Sequence, residues 1–221
     1  MDGTFKNELI CEQRSKEWFA ARLGKITGSK FDDLMPATMA KVEQFTQTQE
    51  DILIKVASEI LTGEREESGF LSKDMQNGID REPFALKAYE NHELLEVREC
   101  GFFTISEYLG SSPDGVIEIT KESWETKCPK NTTHTKYFNN PYLLFKKYKW
   151  QCVGEAWAIG YKKGVICSFN PKFSPDKQLV IYKFEVTPED LAFLQTRLNV
   201  CIAKIKKIVE KENITVSRKE S

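Results

Sequence analysis

One short segment, Ser123 to Cys128, constrains this chain more than any other. It reads as a strand, and strand alternation puts Glu125 and Lys127 on one face with Trp124, Thr126 and Cys128 on the other. Just before it, Pro113-Asp114 sits where Tyr108–Ser112 must turn or bulge into the apolar Val116–Ile119 run. A Thr120–Glu122 turn then returns the chain as a hairpin that brings Asp114 to Glu125 and Lys127. Two carboxylates hold a hard divalent cation through oxygen. Such a cation acidifies a water and neutralises charge on a phosphate, while an ammonium orients the water or steadies developing negative charge. These are the minimal parts for metal-assisted cleavage of a phosphodiester. A P-D…E-x-K spacing also arises by chance in many soluble chains, so the rest of the sequence must decide.

At 221 residues, with 40% apolar and 29% charged residues, the chain is long enough for a substantial core and reads as an ordinary globular protein. The expectation is a single domain over residues 1–221: helices in 1–92, a sheet bearing Glu125 and Lys127 with an inserted helix in 93–186, and a C-terminal helix over 187–212. No apolar run approaches membrane-spanning length. The N-terminal residues carry charges where a secretory signal needs its apolar stretch, so a cytoplasmic location is expected. The six cysteines are scattered without a C-x-x-C pair, which argues for reduced thiols and against an iron–sulfur cluster.

Net charge is only −1, but it is unevenly placed. Thr126 to Gly154 lacks acidic residues and holds Lys127, Lys130, Lys136, Lys146, Lys147 and Lys149, interleaved with Tyr137, Phe138, Tyr142, Phe145, Tyr148 and Trp150. A basic stretch beside a carboxylate cluster suits a polyanion. The alternative is a solvated basic face whose aromatics pack inward. His134, in a Thr/Asn-rich stretch, reads as an exposed loop residue, and His92 as a residue that follows a helix and caps it.

Period and capping predict the remaining elements. Ser15 caps a short first helix that ends at Gly24, and a second short helix runs through Phe31 and Leu34 to Pro36. A longer helix is expected from Val42 to Leu61, ended by Gly63, followed by an acidic loop at Glu64–Glu67. Ser72 caps a helix bearing Met75, Ile79, Leu86 and Tyr89. That helix contains Gly78 and Pro83, with Glu82 between them, so a kink could aim one carboxylate. Tyr148–Ile159 reads as a buried helix carrying Gln151, and Val165–Phe169 and Leu179–Val186 as strands. Thr187-Pro188-Glu189-Asp190 opens an amphipathic helix through Leu191, Leu194, Leu198, Ile202, Ile205 and Val209. The fold class is therefore α/β (α+β), a central mixed, largely antiparallel sheet flanked by helices.

Five ordered blocks carry a resemblance. They are Trp18-Phe19-Ala20-Ala21-Arg22-Leu23-Gly24-Lys25-Ile26-Thr27-Gly28-Ser29, Gly78-Ile79-Asp80-Arg81-Glu82, Ser112-Pro113-Asp114-Gly115, Glu125-Thr126-Lys127-Cys128-Pro129 and Tyr148-Lys149-Trp150-Gln151. Together they resemble the lambda exonuclease family, the YqaJ-type viral recombinases, within the PD-(D/E)xK nuclease fold shared with restriction endonucleases. The resemblance implies metal-binding carboxylates Glu82, Asp114 and Glu125 with the Thr126 carbonyl, a catalytic Lys127, and Gln151 holding the water or the lysine. It implies Arg22, Ser29 and Ser112 near a terminal 5′-phosphate, as suits a guanidinium fork with hydroxyls.

It further implies Mg²⁺, with Mn²⁺ as a substitute and two ions bound, and double-stranded DNA ends degraded 5′→3′. A single-strand annealing partner, a phage or prophage setting in a bacterial host, and a homo-oligomer such as a ring-shaped trimer belong to the same resemblance. An endonuclease or a non-catalytic DNA-binding module on this fold are the alternatives. Thr126 departs from the aliphatic residue usual between the glutamate and lysine, so its hydroxyl must be satisfied on the back face.

Overall fold

The computed structural model describes residues 5–65 and 73–219. The N-terminal part holds β1 (Glu8–Leu9), α1 (Lys16–Arg22), β2 (Ile26–Thr27), α2 (Phe31–Leu34), α3 (Gln47–Thr62) and α4 (Lys73–Glu93). Strands β3 (Arg98–Glu99), β4 (Phe102–Ser106), β5 (Leu109–Ser111), β6 (Gly115–Ile117) and β7 (Glu122–Lys127) follow. Then come α5 (Asn131–Asn139), α6 (Tyr142–Lys147), α7 (Lys149–Ile159), β8 (Lys163–Phe169), β9 (Leu179–Glu185) and α8 (Pro188–Lys219). No helix among the described residues is long and apolar enough to cross a membrane.

The class is mixed α+β as expected, but the strands form two sheets rather than one. A four-stranded sheet has the order β1-β4-β5-β2 and a five-stranded sheet the order β3-β6-β7-β8-β9. Within them only β2·β5 and β7·β8 are parallel. Between β3 and β6 the chain crosses from one sheet to the other twice, at Cys100-Gly101 and at Ser112-Pro113-Asp114. Both crossings are pinned by one side chain: Gln13 Nε2 donates to the Cys100 carbonyl at 3.1 Å and the Pro113 carbonyl at 3.0 Å. Gly101 is required at the first, since a Cβ there would lie 2.1 Å from the Leu9 carbonyl oxygen. Asp114 thus stands at a crossover, where proline supplies no donor and the backbone leaves one ladder for another.

Strand β7 is central and nearly buried along its length. Its Trp124 face packs on Tyr89 of α4, ring centroids 5.7 Å apart, with Val97, Ile117, Val165 and Cys167 around it. Truncating so large a buried side chain costs about 3–5 kcal/mol. The opposite face carries Glu125 and Lys127 toward α7. Helix α8 closes the far side, burying Leu194, Leu198, Cys201 and Ile205 against Leu53, Val56 and Ala57 of α3. The Thr187 hydroxyl accepts the Asp190 N–H at 3.1 Å, which starts α8 where the sequence places it.

Three expectations change. Helix α3 begins at Gln47 rather than Val42, because Thr46 and Gln49 form a reciprocal capping box. The residues ahead of it are held instead by buried Arg197, which donates to the carbonyls of Leu34, Val42 and Gln44. The Thr/Asn-rich stretch after Pro129 is helical, as α5 and α6, and His134 is fully buried within it. Its Nδ1 meets Ser168 Oγ at 2.8 Å and its Nε2 meets the Lys177 carbonyl at 2.9 Å. This histidine bolts α5 to β8 and to the loop before β9, so it is structural and not exposed. His92 lies inside the last turn of α4, not after it, with Nδ1 3.0 Å from Glu93 Oε1. Helix α4 runs on through Gly78 and Pro83, while its expected Ser72 cap lies outside the described residues.

Candidate active site

Alternation on β7 brings Glu125 and Lys127 together: Lys127 Nζ donates to Glu125 Oε1 at 2.5 Å. Across the crossover, Asp114 Oδ2 accepts the Thr126 N–H at 2.8 Å, which fixes the carboxylate beside the strand and leaves the Thr126 carbonyl for other partners. Helix α7 completes the group. Gln151 Oε1 accepts from Lys127 at 3.2 Å, and its Nε2 donates to Glu125 Oε1 at 2.7 Å. Gln151 is itself placed by Asp32 of α2, whose carboxylate accepts the Trp150 and Gln151 N–H groups at 3.0 and 2.9 Å. Those are unpaired donors of a helix N-terminus, so Asp32 caps α7 from another element.

The electrostatics are those of crowded carboxylates. Burial, then Glu125, with Glu82 adding, pushes the Asp114 carboxyl well above the usual range, Lys127 opposing. Burial works against the Lys127 ammonium, but Glu125 and Asp114 outweigh it and hold it protonated above its usual range. Among the described residues, Glu125 Oε2 is buried without a hydrogen-bond partner. An orphaned carboxylate oxygen beside a second acidic group suits a hard cation bound through oxygen. Glu82, however, is paired with Arg14, at 2.7 Å. Among the described residues no group of three or more His, Cys, Asp or Glu side chains could hold a metal ion as they stand. Asp114 and Glu125 converge; Glu82 stays on the wall of an adjoining cavity of about 260 Å³ that Asp114 also lines.

A second cluster forms where α1 meets the Ser112 crossover. Trp18 Nε1 donates to Ser112 Oγ at 2.8 Å, and the Arg22 guanidinium lies 4.0 Å over the Trp18 ring. Arg22 reaches Ser112 Oγ at 3.4 Å and Thr27 Oγ1 at 3.1 Å, and Thr27 Oγ1 is 3.5 Å from Ser29 Oγ. Desolvation lowers Arg22 to about 10, still charged at neutral pH, and Arg65 adds to the shift. The structure therefore brings Arg22, Ser29 and Ser112 together, with Gly24 at φ +67 ending α1 so that the chain can turn back to Thr27.

Sequence reasoning missed Asp32, Trp18 as a donor, and Glu155. Glu155 is 1% exposed on α7, and its Oε1 accepts from Gln151 at 2.8 Å. Burial and Glu125 raise its carboxyl well above the usual range. A glutamate one turn beyond Gln151 in an otherwise apolar helix was the available signal. The Thr126 hydroxyl, which needed a partner, has none among the described residues. The basic stretch divides: Tyr137 and Phe145 are buried, Lys149 pairs with Asp190, and Lys127 and Lys147 approach the Tyr148 ring, while Phe138, Tyr142, Lys136 and Lys146 are exposed.

The fold is mixed α+β, with an acidic pair, a lysine and a glutamine gathered at the middle of a sheet. The YqaJ-like viral recombinase domain matches residues 17–162, and the chain belongs to that family. The fold is also that of an alkaline exonuclease, LHK-Exo, from Laribacter hongkongensis, with a TM-score of 0.80 at 24% identity over 92% of this chain and 99% of that one. The same protein in complex with dAMP gives a TM-score of 0.78 at 24% identity, with the same coverage of both chains. A phage related exonuclease from Haemophilus somnus 129PT gives 0.72 at 14% identity, covering 85% of this chain and 96% of that one. A comparison with curated proteins finds no match.

Proposed function

We propose that this chain is, over its whole length, one nuclease domain: a Mg²⁺-dependent exonuclease that degrades double-stranded DNA 5′→3′. The product would be a 3′ single-stranded tail for annealing recombination. The observation that carries this reading is the joining of Asp114, Glu125, Lys127 and Gln151 beside a separate guanidinium pocket at Arg22.

Asp114, Glu125 and the Thr126 carbonyl would hold Mg²⁺, or Mn²⁺ in its place, with Glu82 available to a second ion. Bound there, the ion supplies Lewis acidity and a more acidic water. Lys127 acts as a charged donor to the attacking water or the developing phosphate charge. Gln151 keeps Lys127 and Glu125 in one arrangement, because its amide engages both. Arg22, Ser29 and Ser112 take the terminal 5′-phosphate, and a pocket for that group at one side of the scissile bond sets the direction of digestion. An annealing protein as partner, a homo-oligomer such as a ring-shaped trimer, and action in the cytoplasm of a bacterial host of a phage complete the reading. Linear duplex and covalently closed circular DNA, each with Mg²⁺ and with excess EDTA, test it. Only the linear duplex with Mg²⁺ is to be degraded, and cutting of intact circles would make the chain an endonuclease.

A further inference from the structure

Arg14 is the residue before the Ser15 cap of α1, and its backbone has φ +70. Among the described residues two other non-glycine residues share that conformation, Leu94 and Lys121. Leu94 closes the end of α4 by donating to the Glu90 carbonyl, and Lys121 lies in the turn into β7. Arg14 is the third residue of a turn closed by the Ser15 N–H on the Glu12 carbonyl at 3.2 Å, a place that suits glycine or asparagine. An arginine there works against its own backbone. What it gains is Glu82: Arg14 Nη2 donates to Glu82 Oε2 at 2.7 Å across 68 residues of sequence.

The turn cannot drift. Gln13 ties it to the Cys100 and Pro113 carbonyls, the latter belonging to the residue just before Asp114, and Ser15 ties it to α1. Arg14, Glu82 and Asp114 line the same cavity, and Glu82 is close enough to Asp114 to raise its carboxyl. The carboxylate that would complete a set with Asp114 and Glu125 is therefore held by an internal cation on a fixed mount.

We infer that Arg14 competes with the divalent cation for Glu82 and so sets the metal concentration the site requires. The inference rests on the metal-nuclease reading above. The guanidinium on Glu82 Oε2 offsets negative charge that would otherwise draw a cation and holds the carboxylate where it stands, so a metal ion reaching Glu82 binds against it.

The test is titration of the full chain with Mn²⁺ alone, without DNA, following the free ion by electron paramagnetic resonance. Arg14→Asn and Arg14→Gly both suit the left-handed backbone, so thermal melts should show both folded. Each is expected to bind Mn²⁺ about five-fold tighter or more, as when a partly exposed ion pair no longer competes. In a Glu82→Gln background, Arg14→Asn is expected to change nothing. An unchanged or weaker affinity in either variant, or the same gain in the Glu82→Gln background, overturns the role of Arg14. If the wild type binds no Mn²⁺, the metal reading falls and this inference with it. If the wild type binds and the variants do not tighten, only the inference falls.

Discussion

Asp114 accepts the Thr126 N–H at 2.8 Å, so one hydrogen bond joins the crossover between two sheets to the strand that carries Glu125 and Lys127. The backbone of the crossover and the side chains of the strand are thereby set against each other before any ligand arrives. Division of labour follows: Asp114 and Glu125 offer oxygens, while Lys127 offers a fixed positive charge.

Lys127→Ala should therefore abolish turnover and leave binding of metal and DNA largely intact. Loss of such a transition-state donor costs roughly 10²–10³-fold in rate. Single-turnover rates alongside Mn²⁺ and DNA affinities check this. Activity within a few-fold of wild type would remove the lysine from the mechanism.

Arg22 is held by Trp18, Ser112 and Thr27 and carries no salt bridge to a carboxylate among the described residues, which leaves its charge for a ligand. Wild-type protein should digest 5′-phosphorylated ends faster than 5′-hydroxyl ends, and Arg22→Ala should erase that preference with the metal site intact. Initial rates on both substrates decide. Equal preference before and after the substitution places the phosphate elsewhere.

Glu155 separates charge from shape. Burial and Glu125 raise its carboxyl well above the usual range, so it should sit protonated beside Gln151. Glu155→Gln keeps an acceptor and should retain near wild-type activity, whereas Glu155→Ala frees Gln151 and should slow turnover by about 10–100-fold through misplacement. Equal losses in both variants would mean that the negative charge itself is used.

Much of this was legible in the sequence, and the reasons differ by element. Helix α8 was readable because its apolar spacing and its Thr187-Pro188 start agree, and the Glu125–Lys127 face because alternation on a strand is local. The two-sheet split was not readable, since it depends on Gln13 meeting Cys100 and Pro113 from far away in sequence. Arg14 was hidden because nothing in a sequence marks an arginine at positive φ. His134 looked exposed because its polar neighbours do not reveal Ser168 and the Lys177 carbonyl waiting across the fold.

That histidine gives a stability test. His134→Ala leaves the Ser168 hydroxyl and the Lys177 carbonyl unpaired and should cost about 2–4 kcal/mol in denaturant unfolding. Burial lowers its folded-state value below the usual imidazole value, despite the Lys177 carbonyl. The unfolded chain therefore binds the proton more readily, so this contribution is complete above the unfolded value, about 6.5. It is lost as the pH falls from there toward the lower folded value. Comparing melting at pH 7.5 and 5.5, wild type should lose more stability on acidification than the variant. An equal loss would contradict the buried, neutral histidine.

The most direct measurement is digestion with Mg²⁺ of one linear duplex labelled in separate preparations at its 5′ and its 3′ ends. Immediate release of the 5′ label as mononucleotide is expected, with a 3′ label that persists on a shortening duplex and no release with EDTA. Early release of the 3′ label, or release of the 5′ label without a divalent cation, would contradict it.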